Sequence, residues 1–357
     1  MKSSKVNKLL VKVNSRSSSE RTMIRIDGSY GEGGGQILRT AISLACITGK
    51  EVEVYNIRAN RPKPGLAMQH LKGIEAAKLI SNAEVEGLKL GSTRVVFKPR
   101  SLKGGNFRID IGTAGSVTLI LQTILLPLLA SEKESIVEIR GGTDVKWSPP
   151  VDYVKNVTFK ALSELGAGVE LKLIARGYYP KGGGKIKVST DPSKLKGIEF
   201  RDGNCDVIKG ISHCQNLPRD VAERQAKSAR KVLELEGYKV DIDIEVSKGV
   251  STGSGITLWC GYKGGSALGE KGKRAEKVGE ECANNILAEL KSDAVFDKHL
   301  ADQIMPFAAV AKGETVYTTS EVTLHQKSNA YVINTFLGDV IEFDGNHVRI
   351  KGVGILG

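Results

Sequence analysis

Hydrophobic and polar positions alternate between two spacings along this chain, and the order of those spacings repeats. Arg21 to Ile26 alternates like a strand and stops at Asp27-Gly28. A glycine-rich loop, Gly31-Glu32-Gly33-Gly34-Gly35, follows. Ile37, Ala41, Leu44 and Ala45 then recur at helical spacing over Gln36 to Cys46. Glu51 to Ile57 reads as a strand and Gly65 to Ile80 as a second helix. Val85 to Leu90 and Thr93 to Lys98 read as paired strands about Gly91-Ser92. The same order returns with a strand at Phe107 to Ile111, the small-residue loop Gly112 to Ser116, and a helix at Val117 to Leu129. A strand at Ser135 to Ile139, the loop Gly141 to Asp144, a helix at Pro149 to Leu165 and two strands flanking Tyr178 to Gly184 complete it. The pattern is βαβαββ twice with a period of roughly 80 residues, which indicates internal duplication.

The end of the chain resembles the later part of such a unit. It has a helix at Lys298 to Ala311, a strand at Glu314 to Thr318, a helix around Ser328 to Phe336, and a hairpin of Val340 to Phe343 with His347 to Lys351 about Asp344-Gly345-Asn346. Between these repeats lies a different piece. It shows strands in Ile198 to Cys214, a charged helix at Asp220 to Glu236 capped at Asp220, strands at Lys239 to Val246 and Ile256 to Tyr262, and a helix at Lys273 to Leu290. The expected organisation is therefore an α/β chain of three parts. Residues 1–21 form a disordered basic extension. Residues 22–190 and 293–357 form a large unit of βαβαββ repeats, and residues 191–292 a small inserted α/β unit.

Composition narrows the functional class. With 357 residues, two folded units fit better than one. Apolar residues make up 40% and charged residues 26%, the balance of a soluble globular chain. No apolar run reaches the roughly 20 residues of a membrane span. The net charge of +12 favours an anionic partner such as nucleic acid or nucleotide. The five cysteines are scattered, odd in number and without Cys-x-x-Cys spacing. Neither a disulfide framework nor a structural zinc site is expected, and a cytoplasmic location fits.

Several stretches can carry chemistry. Glycines before a helix leave backbone N–H groups open to an anion, and the helix N-terminus adds favourable potential. The same glycines also suit a plain tight turn. Glu32 in that loop would repel phosphate unless a divalent metal stood between them. There is no Walker A sequence, so a P-loop ATPase is excluded. Arg25-Ile26-Asp27-Gly28 lacks the lysine that a lysine-adenylating ligase needs. Arg58, Arg61 and Lys63 stand in a loop stiffened by Pro62 and Pro64, with Gln69 and His70 just beyond, an arrangement suited to phosphate or an RNA backbone. His299, Asp302 and Gln303 share one helical face, which read alone is an ordinary polar face. His325 stands at a strand-to-helix junction, and a lone histidine there is more often structural.

Taken together, these stretches resemble the RNA 3′-terminal phosphate cyclase family. The resemblance is carried by GSYGEGGGQILR (Gly28 to Arg39), IRANRPKPGLAMQH (Ile57 to His70), GTAGSVTLILQT (Gly112 to Thr123) and GGTDVKWSPP (Gly141 to Pro150). YYPKGGG (Tyr178 to Gly184), HLADQ (His299 to Gln303) and SEVTLHQKSN (Ser320 to Asn329) complete it. It implies a fold like that of enolpyruvyl transferases and an ATP-dependent reaction through a histidine–AMP intermediate. By this resemblance His325 is the nucleophile. Gln122 and His299, Leu300, Ala301, Asp302 and Gln303 contact ATP. Arg39, Arg58, Arg61, Gln69 and His70 hold the RNA 3′-phosphate, and Glu32 binds Mg2+ or Mn2+. Some relatives carry an aromatic ring where His299 stands. The expected partner is RNA bearing a 3′-phosphate, with no membrane association; a homodimer is compatible. Two other readings stay open: a non-catalytic cyclase-like RNA-binding assembly factor, and an enolpyruvyl-type transferase on the same scaffold.

Overall fold

The computed structural model describes residues 23–201, 203 and 205–357; the extension expected over 1–21 lies outside the described residues. The first unit runs β1 (Ile24–Asp27), α1 (Gly35–Thr48), β2 (Val52–Tyr55), α2 (Met68–Ser81), β3 (Glu84–Glu86) and β4 (Val95–Lys98). The second runs β5 (Asn106–Asp110), α3 (Val117–Leu129), β6 (Ser135–Gly141), a composite helix, β7 (Val169–Ala175) and β8 (Gly184–Thr190). The composite helix is α4 (Val151–Tyr153), a π-helical stretch over Val154–Thr158, and α5 (Phe159–Glu164). The two sheets have the same order, β1-β2-β4-β3 and β5-β6-β8-β7, and in each only the first pair is parallel. That shared topology is the duplication the spacing predicted.

The next stretch forms β9 (Val207–Gln215), α6 (Arg219–Leu235), β10 (Lys239–Ser247), β11 (Gly253–Cys260), β12 (Lys263–Leu268) and α7 (Ala275–Leu290). Its sheet runs β10-β9-β11-β12. The chain closes with α8 (Lys298–Gln303), α9 (Met305–Val310), β13 (Lys312–Thr318), α10 (Leu324–Leu337), β14 (Ile341–Asp344) and β15 (His347–Val353), the last sheet running β13-β15-β14. This third sheet lacks a regular first strand, and residues near 196–199 take that place. Lys196 bridges Lys312 and Glu199 bridges Val316, both in parallel. Two apolar clusters result. One joins all three repeats, from Ile26 to Ile350, and includes Leu195 and Phe200. The other gathers Ile208, Leu233, Ile256, Cys282 and Ile286 between α6, α7 and their sheet.

Four local expectations change. The helix expected over Lys298 to Ala311 breaks at Ile304, because Pro306 at the start of α9 cannot supply the N–H that a continuous helix needs. The cap of α6 is Pro218, and Asp220 sits in the first turn, where its charge suits the helix dipole. Strand β12 went unread because Gly264 and Gly265 are weak strand formers; side chains there would strike Tyr153 and Ile286. The cysteine expectation is overturned. Cys205 and Cys260 form a disulfide with Cα atoms 5.2 Å apart, while Cys46, Cys214 and Cys282 are free and buried. Their spacing of 55 residues gave no sign of it; the fold lays the segment before β9 across the end of β11.

Candidate active site around His325

Helix α10 builds the site. Thr323 caps it by accepting the Gln326 N–H at 3.2 Å, so His325 lies in the first helical turn instead of before the helix. Three residues further on, Ser328 packs under the glycine-rich loop. Gly31 has φ of 60°, and a side chain there would meet the Ser328 hydroxyl at 2.6 Å. One turn later Tyr331 stacks on Tyr30 at 4.3 Å between ring centroids, and its hydroxyl accepts the Asp27 N–H at 3.2 Å. Residues of one α10 face therefore seat the loop and bring Glu32 onto His325. Glu32 Oε2 lies 3.1 Å from His325 Nε2 and 3.4 Å from Arg61 Nη2.

The other side of the imidazole meets a residue that sequence reading missed. His325 Nδ1 hydrogen-bonds Gln36 Oε1, and Gln36 Nε2 donates to Asp302 Oδ2 at 3.0 Å. Since the Gln36 amide nitrogen faces a carboxylate, its oxygen faces the ring, and Nδ1 must be the protonated nitrogen. Nε2 then carries the lone pair, on a side chain that is 45% exposed. Asn329 holds the arrangement from behind, donating to the Asp302 carbonyl at 2.8 Å and accepting from Thr40 Oγ1 at 2.6 Å. The signal for Gln36 was available: a polar residue on the buried face of α1, immediately after the glycines.

Charge is concentrated here. Burial raises the Asp302 carboxyl to about 7, against the Gln36 hydrogen bond and the Arg39 charge. Burial lowers Arg39 to about 10, and Asp302 opposes that shift. Arg39 Nε is buried and has no hydrogen-bond partner among the described residues. His325 is held below the usual histidine value, chiefly by burial, with Glu32 opposing and Arg39, His299 and Arg61 adding to it. Helix α1 begins at Gly35, has no side-chain cap and carries no acidic residue in its first turn; α2 also lacks an acidic residue there, but its Ala67 N–H is taken by His70. An orphaned guanidinium N–H beside an open helix N-terminus suits an anion. Glu32 offers one partly exposed carboxylate at the same place. One carboxylate plus phosphate oxygens is a common way to hold Mg2+, so the residues fit the expected metal.

The other expected site residues divide. His299 is exposed on α8 and near enough to influence His325. Leu300 and Ala301 are fully buried core residues. Gln303 accepts from Thr158 Oγ1 at 2.9 Å and donates to the His299 carbonyl at 3.0 Å, tying α8 to the π-helical stretch. Arg58, at φ of 55°, donates to the Gly65 carbonyl at 2.8 Å and so shapes its own loop. Gln69 Oε1 accepts the Ser116 N–H at 3.3 Å, joining α2 to the loop before α3. Gln122 is half-buried on α3, and no hydrogen bond or ion pair among the described residues ties it to His325.

His70 is buried. Its Nδ1 accepts the Ala67 N–H at 3.2 Å, and its Nε2 occupies the space a side chain on Gly35 would need. Burial lowers it to about 3, with Arg39 and Arg58 adding to the effect. His213, also buried, is likewise lowered to about 3, by burial and then Arg176. Both are neutral in the fold and take up a proton near pH 6.5 once unfolded. Their stabilisation is therefore complete above pH 6.5 and is lost progressively as pH falls towards 3, by about 1.4 kcal/mol per pH unit for each residue. In urea unfolding at pH 7.0, 6.0 and 5.0, the slope of stability against pH should be shallower in His213→Gln than in wild type by about 1.4 kcal/mol per pH unit.

Asp144, Asp152 and His213 also bring ligand atoms within 4.8 Å of one another. A metal does not fit there, since Arg176 already supplies the cation. Its guanidinium lies 3.2 Å from Asp144, 2.9 Å from Asp152 and 2.8 Å from Glu245.

The family model described as RNA 3′-terminal phosphate cyclase matches residues 30–343. The RNA 3′-terminal phosphate cyclase of Archaeoglobus fulgidus is 66% identical over 92% of this chain and 100% of its own length. Those of Pyrococcus furiosus and Methanopyrus kandleri are 51% and 49% identical over 90% and 91% of this chain, each across 96% of its own length. Among solved structures, the enolpyruvyl transferase NikO from Streptomyces tendae aligns with 93% of this chain and 48% of its own at 11% identity, with a TM-score of 0.42. With the family model spanning most of the described residues and relatives matching across nearly their whole length, the chain belongs to the RNA 3′-terminal phosphate cyclase family.

Proposed function

We propose that this protein converts an RNA 3′-phosphate into a 2′,3′-cyclic phosphate at the expense of ATP, through AMP carried on His325. The observation that supports it most is the His325 tautomer. Gln36, fixed by Asp302, holds Nδ1–H and leaves the lone pair on Nε2, the partly exposed nitrogen that faces Glu32. In the first step Nε2 attacks the α-phosphorus of ATP and pyrophosphate leaves. In the second the RNA 3′-phosphate oxygen attacks that phosphorus and frees the imidazole. In the third the neighbouring 2′-OH attacks the activated phosphate, closes the ring and expels AMP.

Neutral imidazole is a competent nucleophile near pH 7, and burial keeps His325 neutral there. Arg39 and Arg61 neutralise the phosphate charge that builds during each transfer. The nucleoside is assigned to the neighbourhood of Asp302 and His299, both close enough to act on the charges around His325. A divalent cation held by Glu32 would supply further charge neutralisation. Glu32 otherwise faces the attacking nitrogen, so recruitment of its carboxylate elsewhere frees that lone pair. The ring closure is intramolecular and benefits from effective molarities of about 10⁵–10⁸ M.

The test uses a 3′-phosphorylated oligoribonucleotide with ATP and Mg2+ or Mn2+. Its terminal phosphate should become resistant to phosphatase, with one AMP and one pyrophosphate released per end. An end that stays phosphatase-sensitive with ATP present would favour the assembly-factor reading.

A further inference from the structure

A second space is unused by this chemistry. A groove of about 980 Å³ lies between β7 on one side and β9 and β10 on the other, with the composite helix along it. Strands β7 and β10 are each the last strand of their sheets, so both border the groove with one ladder unpaired. Lys155, Lys172 and Lys248 line it, all exposed, and none is paired with a carboxylate among the described residues. Of the acids lining it, Asp152 and Glu245 are both engaged by Arg176, which leaves Glu170 as the one free negative charge. With Lys160 and Arg176 the lining carries five positive charges against the three of Asp152, Glu170 and Glu245, so it is net positive.

A set of contacts runs towards this groove from α2, the helix whose His70 packs under Gly35 at the start of α1. Gln69 holds the loop at Ser116. The turn between β7 and β8 packs on the same loop: a side chain on Gly182 would meet Thr113 and Ala114 at 2.8 and 2.9 Å. The far side of that turn touches the segment after β10. The Gly182 carbonyl accepts from Ser251 Oγ at 2.7 Å, and Gly183 abuts Val250, just beyond Lys248. On this turn Tyr178 is buried, its hydroxyl bonded to His213 Nδ1 at 2.7 Å, whereas the next residue, Tyr179, is 79% exposed. Lys181, also exposed, follows two residues later.

From this we infer that the groove holds the single-stranded RNA upstream of the reacting end, the strand crossing the β7–β8 turn with a base stacked on Tyr179 and its phosphates on Lys172 and Lys248. An exposed aromatic followed by a basic channel is how sequence-tolerant single-strand sites are built, because every base has a face to stack and every linkage a charge. The inference deepens the proposed function and rests on it, since it presumes that the reacting end is at His325.

The experiment compares wild type with Lys172→Glu/Lys248→Glu and with Tyr179→Ala. The probes are a 3′-phosphorylated oligoribonucleotide of about twenty nucleotides and a 3′-phosphorylated dinucleotide. The double variant should bind the long RNA at least about tenfold more weakly, and the slope of log K against log salt should shrink by about 1.4, two contacts at about 0.7 each. Tyr179→Ala should lose about tenfold with an unchanged slope. AMP labelling and cyclisation of the dinucleotide should stay at wild-type levels in both. Lys172→Arg/Lys248→Arg should bind as wild type. Long-RNA binding unaffected by charge reversal, or an equal loss for both RNAs, would overturn the inference. Absence of AMP labelling in wild type would instead defeat the proposed function, while the salt slope with long RNA would still decide whether the groove binds it.

Discussion

Incubated with α-labelled ATP and a divalent metal, the wild-type chain should retain the label after denaturation, whereas His325→Ala should fall to background. Three of the other four imidazoles cannot substitute. His70 is buried with Nδ1 engaged, His213 is buried beside Arg176, and His347 is exposed on the final hairpin. His299 is the one neighbour that could attack ATP in its place, so His299→Ala is the informative companion and should still be labelled. Gln36→Ala should reduce labelling without abolishing it. Losing the bond that fixes the tautomer costs on the order of 1 kcal/mol, or several-fold in rate. A label that survives His325→Ala would remove the histidine from the reaction.

The largest effect on stability is expected at Arg176. This side chain is almost fully buried and is the shared cation of Asp144 and Asp152 from the second repeat and Glu245 from β10. Arg176→Met keeps most of the volume but strands carboxylates away from water, and should destabilise the chain by about 3–5 kcal/mol. Adding Asp152→Asn to Arg176→Met should recover part of the loss, because one of the stranded charges is gone. Urea midpoints of the single and double variants measure both quantities. Equal midpoints for wild type and Arg176→Met would mean that the carboxylates are solvated in solution.

The repeat was legible because it rests on spacing. The order of strands and helices survived shifts of a few residues at almost every boundary, and α3 runs over the very residues that its apolar stripe marked. What escaped depends on contacts between distant parts. The alternation of residues 318–324 looked like strand running up to His325, but the Thr323 hydroxyl turns the chain into helix before the histidine arrives. Glu32 and His325 could be named from motifs, but that the Gln36 amide lies between His325 and Asp302 could not, because the three come from α1, α8 and α10. Leu300 and Ala301 illustrate the limit of reading a motif residue by residue. They came with the HLADQ stretch as a block, whereas a helix beside a site turns only one face to it. The Cys205–Cys260 pair and the Arg176 cluster were invisible for the same reason: their partners lie tens of residues away.

The short parallel bridges beside β13 have a mechanical consequence. Phe200 donates its N–H to the Val316 carbonyl at 2.9 Å and Phe296 to that of Thr318 at 3.0 Å, and the two rings sit 4.7 Å apart. The polypeptide therefore departs and comes back through a single doorway on one strand. The elements from β9 to α7 are also tied to the second repeat by Arg176 to Glu245, by Tyr178 to His213 and by the Gly182 carbonyl to Ser251. Widening the cleft between β7 and β10 would therefore mean parting several buried polar contacts together, while the two phenylalanines stay on β13.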